Sequence, residues 1–116
     1  MSIALGNRHS FVSPTFATSA GTATDPTLVK FYLREHVDGT ELEWTYNASP
    51  VSGTHYPVGM QPITRTSAGL YAVAYDSRKP ERVTGFWVGT GTVYDALQET
   101  LFVRHAELAL LDPPSS

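Results

Sequence analysis

The stretch from Leu28 to Tyr46 constrains the fold more than any other part of the chain. Val29, Phe31 and Leu33 alternate with Lys30, Tyr32 and Arg34. Leu42, Trp44 and Tyr46 then alternate with Glu41, Glu43 and Thr45. A period of two sends one set of side chains to a buried face and the other to water, which defines a half-buried β-strand. Between the two runs, Val37-Asp38-Gly39-Thr40 forms a turn, because Asp-Gly reaches a left-handed backbone at little steric cost. The pattern predicts a hairpin of strands Leu28–His36 and Glu41–Tyr46.

The same grammar recurs along the chain. Nine glycines and eight prolines punctuate it at short intervals, which leaves room for strands and little for long helices. Ser10–Thr18 reads as a first strand broken at Pro14, hence an edge strand or two pieces. Residues 47–62 hold three prolines and two glycines and read as a long irregular connection, with room for a short strand near Val58–Gln61. Ile63–Ser67, Leu70–Ser77 and Arg82–Thr90 are further strands. In the last of these, Gly85 and Gly89 mark a bulge or a close backbone approach. Asp95 to Gln98 resembles a helix start, and Leu97, Leu101, Leu108 and Leu111 would share a helical stripe. The rival reading closes the domain with a strand over 98–105, with Thr100, Phe102 and Arg104 facing one way and Leu101 and Val103 the other. We take the strand, and leave 106–111 as a possible helical turn.

About seven short strands with regularly spaced turns predict an all-β chain folded as an immunoglobulin-like antiparallel β-sandwich. Trp44 sits where such a sandwich keeps a core tryptophan. Gly69-Leu70-Tyr71 has the spacing of a tyrosine that packs inward and bonds nearby backbone through its hydroxyl. The expected core includes Phe31, Leu33, Trp44, Tyr71, Val73, Trp87 and Phe102. The expected organisation is an N-terminal arm over residues 1–9, the sandwich over 10–105 and a C-terminal tail over 106–116.

Composition removes several functions. Eight basic against eleven acidic residues give a net charge of −3, and no window is rich in Lys and Arg. That disfavours electrostatic binding of nucleic acid. The chain has no cysteine, so disulfides and thiolate metal sites are excluded. Met1 to Phe11 lacks a basic start and a long apolar run, and no segment approaches the roughly 20 apolar residues of a membrane helix. A soluble chain made in the cytoplasm without export is expected, with no membrane partner.

The order of motifs resembles a known family. A Gly-x-x-x-Asp-Pro-Thr loop (Gly21 to Thr27) leads to a Val-x-Phe-x-Leu strand and then Asp-Gly. Ile-x-Arg-x-Ser-x-Gly-x-Tyr follows at Ile63, Arg65, Ser67, Gly69 and Tyr71. Gly85-x-Trp87, Thr90-Gly91 and Glu99-x-x-Phe102-Val103 complete it. This order is similar to that of small immunoglobulin-like proteins encoded among the head and tail genes of double-stranded DNA phages and prophages. The resemblance covers about residues 10–104, and the loop at 47–62 and the tail after Arg104 depart from it. It implies a virion component without catalysis, synthesised in the host cytoplasm: a capsid decoration or cement protein, a head–tail connector or neck accessory, or a tail-surface module. Its partners would be capsid, portal, neck or tail proteins and symmetric copies of itself.

No cofactor or catalytic constellation emerges from the residues. His9, His36, His55 and His105 lack metal-ligand spacing and read as loop or surface residues. No Gly-x-Ser-x-Gly elbow occurs. Gly85, Gly89 and Gly91 precede no Gly-Lys-Ser/Thr and read as turn or bulge glycines rather than a phosphate loop. Asp25, Asp38, Glu41 and Glu43 form no calcium loop and read as turn caps and a solvated strand face. Tyr46, His55 and Tyr56 gather near the long loop, and such polar-tipped aromatics suit a partner contact. An alternative function is a carbohydrate-binding or adhesive module that stacks on Trp44, Tyr46 or Tyr56.

Overall fold

A computed structural model describes residues 2–47 and 54–104. Eight strands and no helix occur among them. They are β1 (Ser2–Ala4), β2 (Arg8–Val12), β3 (Leu28–Glu35), β4 (Thr40–Asn47), β5 (Thr64–Ser67), β6 (Leu70–Asp76), β7 (Glu81–Thr90) and β8 (Asp95–Arg104). One sheet has the order β1-β8-β7-β3-β4 and the other β2-β6-β5. Every pairing is antiparallel except β1 with β8. The two sheets form the expected immunoglobulin-like sandwich.

The alternation sets the layers. Val29, Phe31 and Leu33 of β3 are buried, as are Tyr71, Val73 and Tyr75 of β6 and Val83, Gly85 and Trp87 of β7. Phe11 bridges the sheets, its ring 5.2 Å from that of Phe31 and 6.1 Å from that of Tyr75. Phe31 also meets Trp44 at 5.3 Å and Trp87 at 4.6 Å. Burying each such side chain contributes roughly 1.5–3 kcal/mol, so this aromatic stack supplies much of the cohesion without a disulfide.

Turns form where the sequence places them. Gly39 takes a φ of 74° and its N–H donates to the Glu35 carbonyl at 2.9 Å, closing the β3–β4 hairpin. Asp38 caps that turn by accepting from the Thr40 N–H at 3.1 Å.

Three expectations need correction. Phe102 is 52% exposed, not core: Leu101 and Val103 take the inner face of β8, and alternation turns Phe102 outward. The arm is not separate from the sandwich. Ser2–Ala4 pair in parallel with Phe102–Arg104, and Arg8 and His9 begin a strand paired to β6. Val58–Gln61 is a turn rather than a strand, with Gly59 at a φ of 81°. The closing strand is present as read and begins earlier, at Asp95, and its pairing with β7 rules out the rival helix. The possible turn at 106–111 and the rest of the tail lie outside the described residues.

Gly85 is a close-approach glycine. A Cβ there would lie 2.7 Å from Phe31 Cζ and 2.9 Å from Phe11 Cδ1, one ring from each sheet. Gly85→Ala is therefore expected to lower stability by about 1–3 kcal/mol through overpacking. A thermal melt checks it, and an unchanged midpoint would show that the rings can withdraw.

Candidate functional site

Three polar clusters and one open groove hold the chemically capable side chains. The first cluster centres on Asp25, placed by buried Pro26 at the mouth of β3. Its carboxylate accepts from Arg65 Nε at 3.0 Å, from the Gly69 N–H at 2.8 Å and from the Tyr71 hydroxyl at 2.8 Å. Its backbone carbonyl accepts from the Thr92 hydroxyl. The Arg65 guanidinium leads the causes that hold the Asp25 carboxyl down at about 2. Tyr71 packs inward as expected, but its hydroxyl reaches this carboxylate rather than backbone. Gly69 is fixed by a φ of 71° and by the Phe16 carbonyl, which leaves no space for a Cβ.

The second cluster surrounds Glu35, which is fully buried at the inner end of β3. Arg78 donates to both carboxylate oxygens, Nη2 to Oε1 at 2.7 Å and Nε to Oε2 at 2.9 Å. The Tyr75 hydroxyl donates to Oε2 at 2.7 Å, and Lys79 stands 3.4 Å from Oε1. Burial pushes the Glu35 carboxyl up, but the bonds from Arg78 and Tyr75 outweigh it and hold it below its ordinary value. Burial and the Glu35 hydrogen bond raise the Tyr75 phenol well beyond its usual range. The third cluster pairs His9 Nε2 with Glu99 Oε2 at 2.8 Å across the sheets, with the His9 ring edge-on to Phe11 at 4.6 Å.

The groove lies on the outer face of the five-stranded sheet, with a volume of about 480 Å³. Tyr32 and Phe86 are cross-strand partners on its floor. Arg34 and Glu41 line one end, with His36 from the β3–β4 turn and Arg82 from the start of β7. His36 Nε2 bonds the Thr84 hydroxyl at 2.9 Å, and Arg82 Nη2 lies 3.5 Å from His36 Nδ1. An arginine can only donate, so Nδ1 accepts and the Nε2–H donates to Thr84. Desolvation, then Arg82 and Arg34, lower the His36 pKa.

The sequence-predicted contact set divides. Backbone hydrogen bonds pair His55 with Thr45, the residue before Tyr46, and His55 and Tyr56 are both exposed. Tyr46 is partly buried against Tyr71, with ring centroids 5.3 Å apart. Trp44 is fully buried, and its indole N–H donates to the Gln61 carbonyl at 2.8 Å. Of the candidate stacking residues Trp44, Tyr46 and Tyr56, Trp44 is closed off by burial, Tyr46 is partly buried and Tyr56 is exposed. Among the core residues, Phe31, Leu33, Trp44, Tyr71, Val73 and Trp87 are all buried. His9 and Asp25, read as a surface residue and a turn cap, instead make cross-sheet and loop-to-strand ties. His105 lies outside the described residues. No group of three metal-ligating side chains occurs among the described residues.

Sequence reading missed the groove. The outward phase of Tyr32, Arg34 and Phe86 was legible, but the register that makes Tyr32 and Phe86 neighbours joins residues far apart in the chain.

No family model matches the chain, and no curated protein matches it. Among solved structures, the extracellular portion of mouse CD200RLa is similar, with a TM-score of 0.52 and 12% identity. The match covers 90% of this chain and 54% of that one, so this chain spans about half of the length of its structural neighbour. At that identity the likeness concerns the fold alone.

Proposed function

We propose that this chain is a non-enzymatic structural protein of a phage virion, acting through contacts with neighbouring virion proteins. One observation supports the reading. Several of the residues that carry the family resemblance meet in one junction that ties the loop before β3 to the other sheet. Asp25 of the Gly-x-x-x-Asp-Pro-Thr loop receives hydrogen bonds from Arg65, Gly69 and Tyr71 of the second motif. The Thr-Gly loop joins the same junction: a Cβ on Gly91 would collide with the Thr27 side chain. Such a pattern preserves a scaffold and leaves its surface to vary, as suits a module that docks on other proteins. Peptide mass spectrometry of purified particles tests this: the polypeptide is expected at stoichiometric copy number in intact virions. Its absence from particles, with the protein present in the lysate, overturns the proposal.

A further inference from the structure

The geometry points to the outer groove of the five-stranded sheet as a docking site for an acidic, partly apolar polypeptide segment of a protein partner. This inference rests on the protein-contact reading above and names the partner's chemistry.

Charge complementarity carries it. Three basic groups converge on one end of the groove: Arg34, Arg82 and the imidazole of His36. Arg34 has a partial counter-charge in Glu41, at 3.7 Å. Arg82 has no carboxylate within ion-pair distance among the described residues, and its Nη2 lies 3.5 Å from His36 Nδ1. The neutral His36 ring accepts from Arg82 but leaves the guanidinium charge uncompensated, and a carboxylate would supply that counter-charge through charge-assisted hydrogen bonds. Beside this end lie apolar surfaces. Tyr32 and Phe86, each 38% exposed, form the floor, and Phe102, 52% exposed, stands in register with Arg82. An acidic side chain next to an apolar one matches both features.

Shape favours a peptide over a single sugar. The lining runs across β4, β3, β7 and β8, from Glu41 to Gln98. Four strands at ordinary spacing span roughly 14 Å, the reach of about four extended residues.

Binding should be linked to protons. The groups facing His36 are Arg82, Arg34 with its partner Glu41, and Thr84. Desolvation and then the two arginines disfavour the imidazolium, and an incoming carboxylate offsets the arginines' charge, so binding takes up a proton.

The test uses the whole chain and amide NMR titration with the peptide acetyl-Leu-Glu-Leu-Glu-amide. Saturable shifts are expected at the amides of Tyr32, Arg34, Thr84 and Phe86. Arg82→Gln is expected to weaken binding about fivefold or more, as losing a charge-assisted contact does. Wild-type affinity should rise from about pH 8 to about pH 5.5, where the peptide carboxylates stay ionised. His36→Gln should flatten that rise. Silent spectra at millimolar peptide, or equal shifts from the Gln-for-Glu peptide, overturn the inference. So does a response to glucuronate without one to the peptide, which would assign the groove to carbohydrate. Because the titration needs no particle, absence of the protein from virions would sink the virion reading and leave this result standing.

Discussion

Glu35→Ala is expected to destabilise the domain by about 3–5 kcal/mol, because it strands charged and polar partners that face a fully buried carboxylate. That is a large fraction of the roughly 5–15 kcal/mol that holds a domain together, and the melting temperature should fall by about 15 °C or more. The partners do not suffer equally. The Arg78 side chain is 44% exposed and can turn to water, and Lys79 keeps Asp38 at 2.7 Å. The Tyr75 hydroxyl is the group left without an acceptor inside the core. A buried donor that loses its only acceptor costs about 1–3 kcal/mol, whereas removing both partners together can be nearly neutral. The double variant Glu35→Leu with Tyr75→Phe should therefore recover much of the loss seen in Glu35→Ala. The pH dependence has a definite sign. The native carboxyl titrates below its unfolded value, so its contribution is complete above about pH 4.3 and disappears as pH falls through the native pKa. Denaturant unfolding of wild type and these two variants checks this. A Glu35→Ala protein within about 0.5 kcal/mol of wild type would show that the network is incidental.

Glu35 also shows where sequence reading stops. Alternation in β3 places residue 35 on the inner face with Val29, Phe31 and Leu33, yet a carboxylate there contradicts the usual partition of charge to water. Only the arrival of Arg78 and Tyr75, more than 30 residues later, makes its burial tolerable. The parts that were legible are local: the β3–β4 hairpin, the inward tyrosines of β6 and the glycine-containing β7 all follow from neighbouring residues. The parts that were not legible depend on register. Ser2–Ala4 is too short to announce a strand, and its partner lies at the other end of the chain. Phe102 looks like core by type, and its exposure follows from the phase that Leu101 and Val103 impose. The groove needs the β3–β7 register to bring Tyr32 beside Phe86 and Arg82. The Asp25 junction sits between these cases, since its residues were all visible as motif letters while their convergence was not.

Asp25→Ala is the second large effect, with an expected loss of about 2–4 kcal/mol. The loss comes from donors already committed to the fold. The Gly69 N–H lies in a turn whose backbone cannot move aside, because Gly69 abuts the Phe16 carbonyl. The Tyr71 hydroxyl belongs to a ring that is 1% exposed. The Arg65 arm adds little, since both side chains of that pair are about two-fifths exposed and water screens them. Asp25→Asn separates the contributions: its amide oxygen can still accept one hydrogen bond, so it should be milder than Ala. Acid titration supplies the sharper readout. The unfolded carboxyl takes up a proton near 3.8, while the native one holds it off until about 2. Between those values the unfolded state binds more protons, so wild-type stability must fall as pH drops through that window. Asp25→Asn removes this titration and should flatten the slope between about pH 4 and about pH 2 relative to wild type. Equal slopes in the two proteins would mean that other carboxylates govern acid unfolding and that Asp25 acts by shape alone.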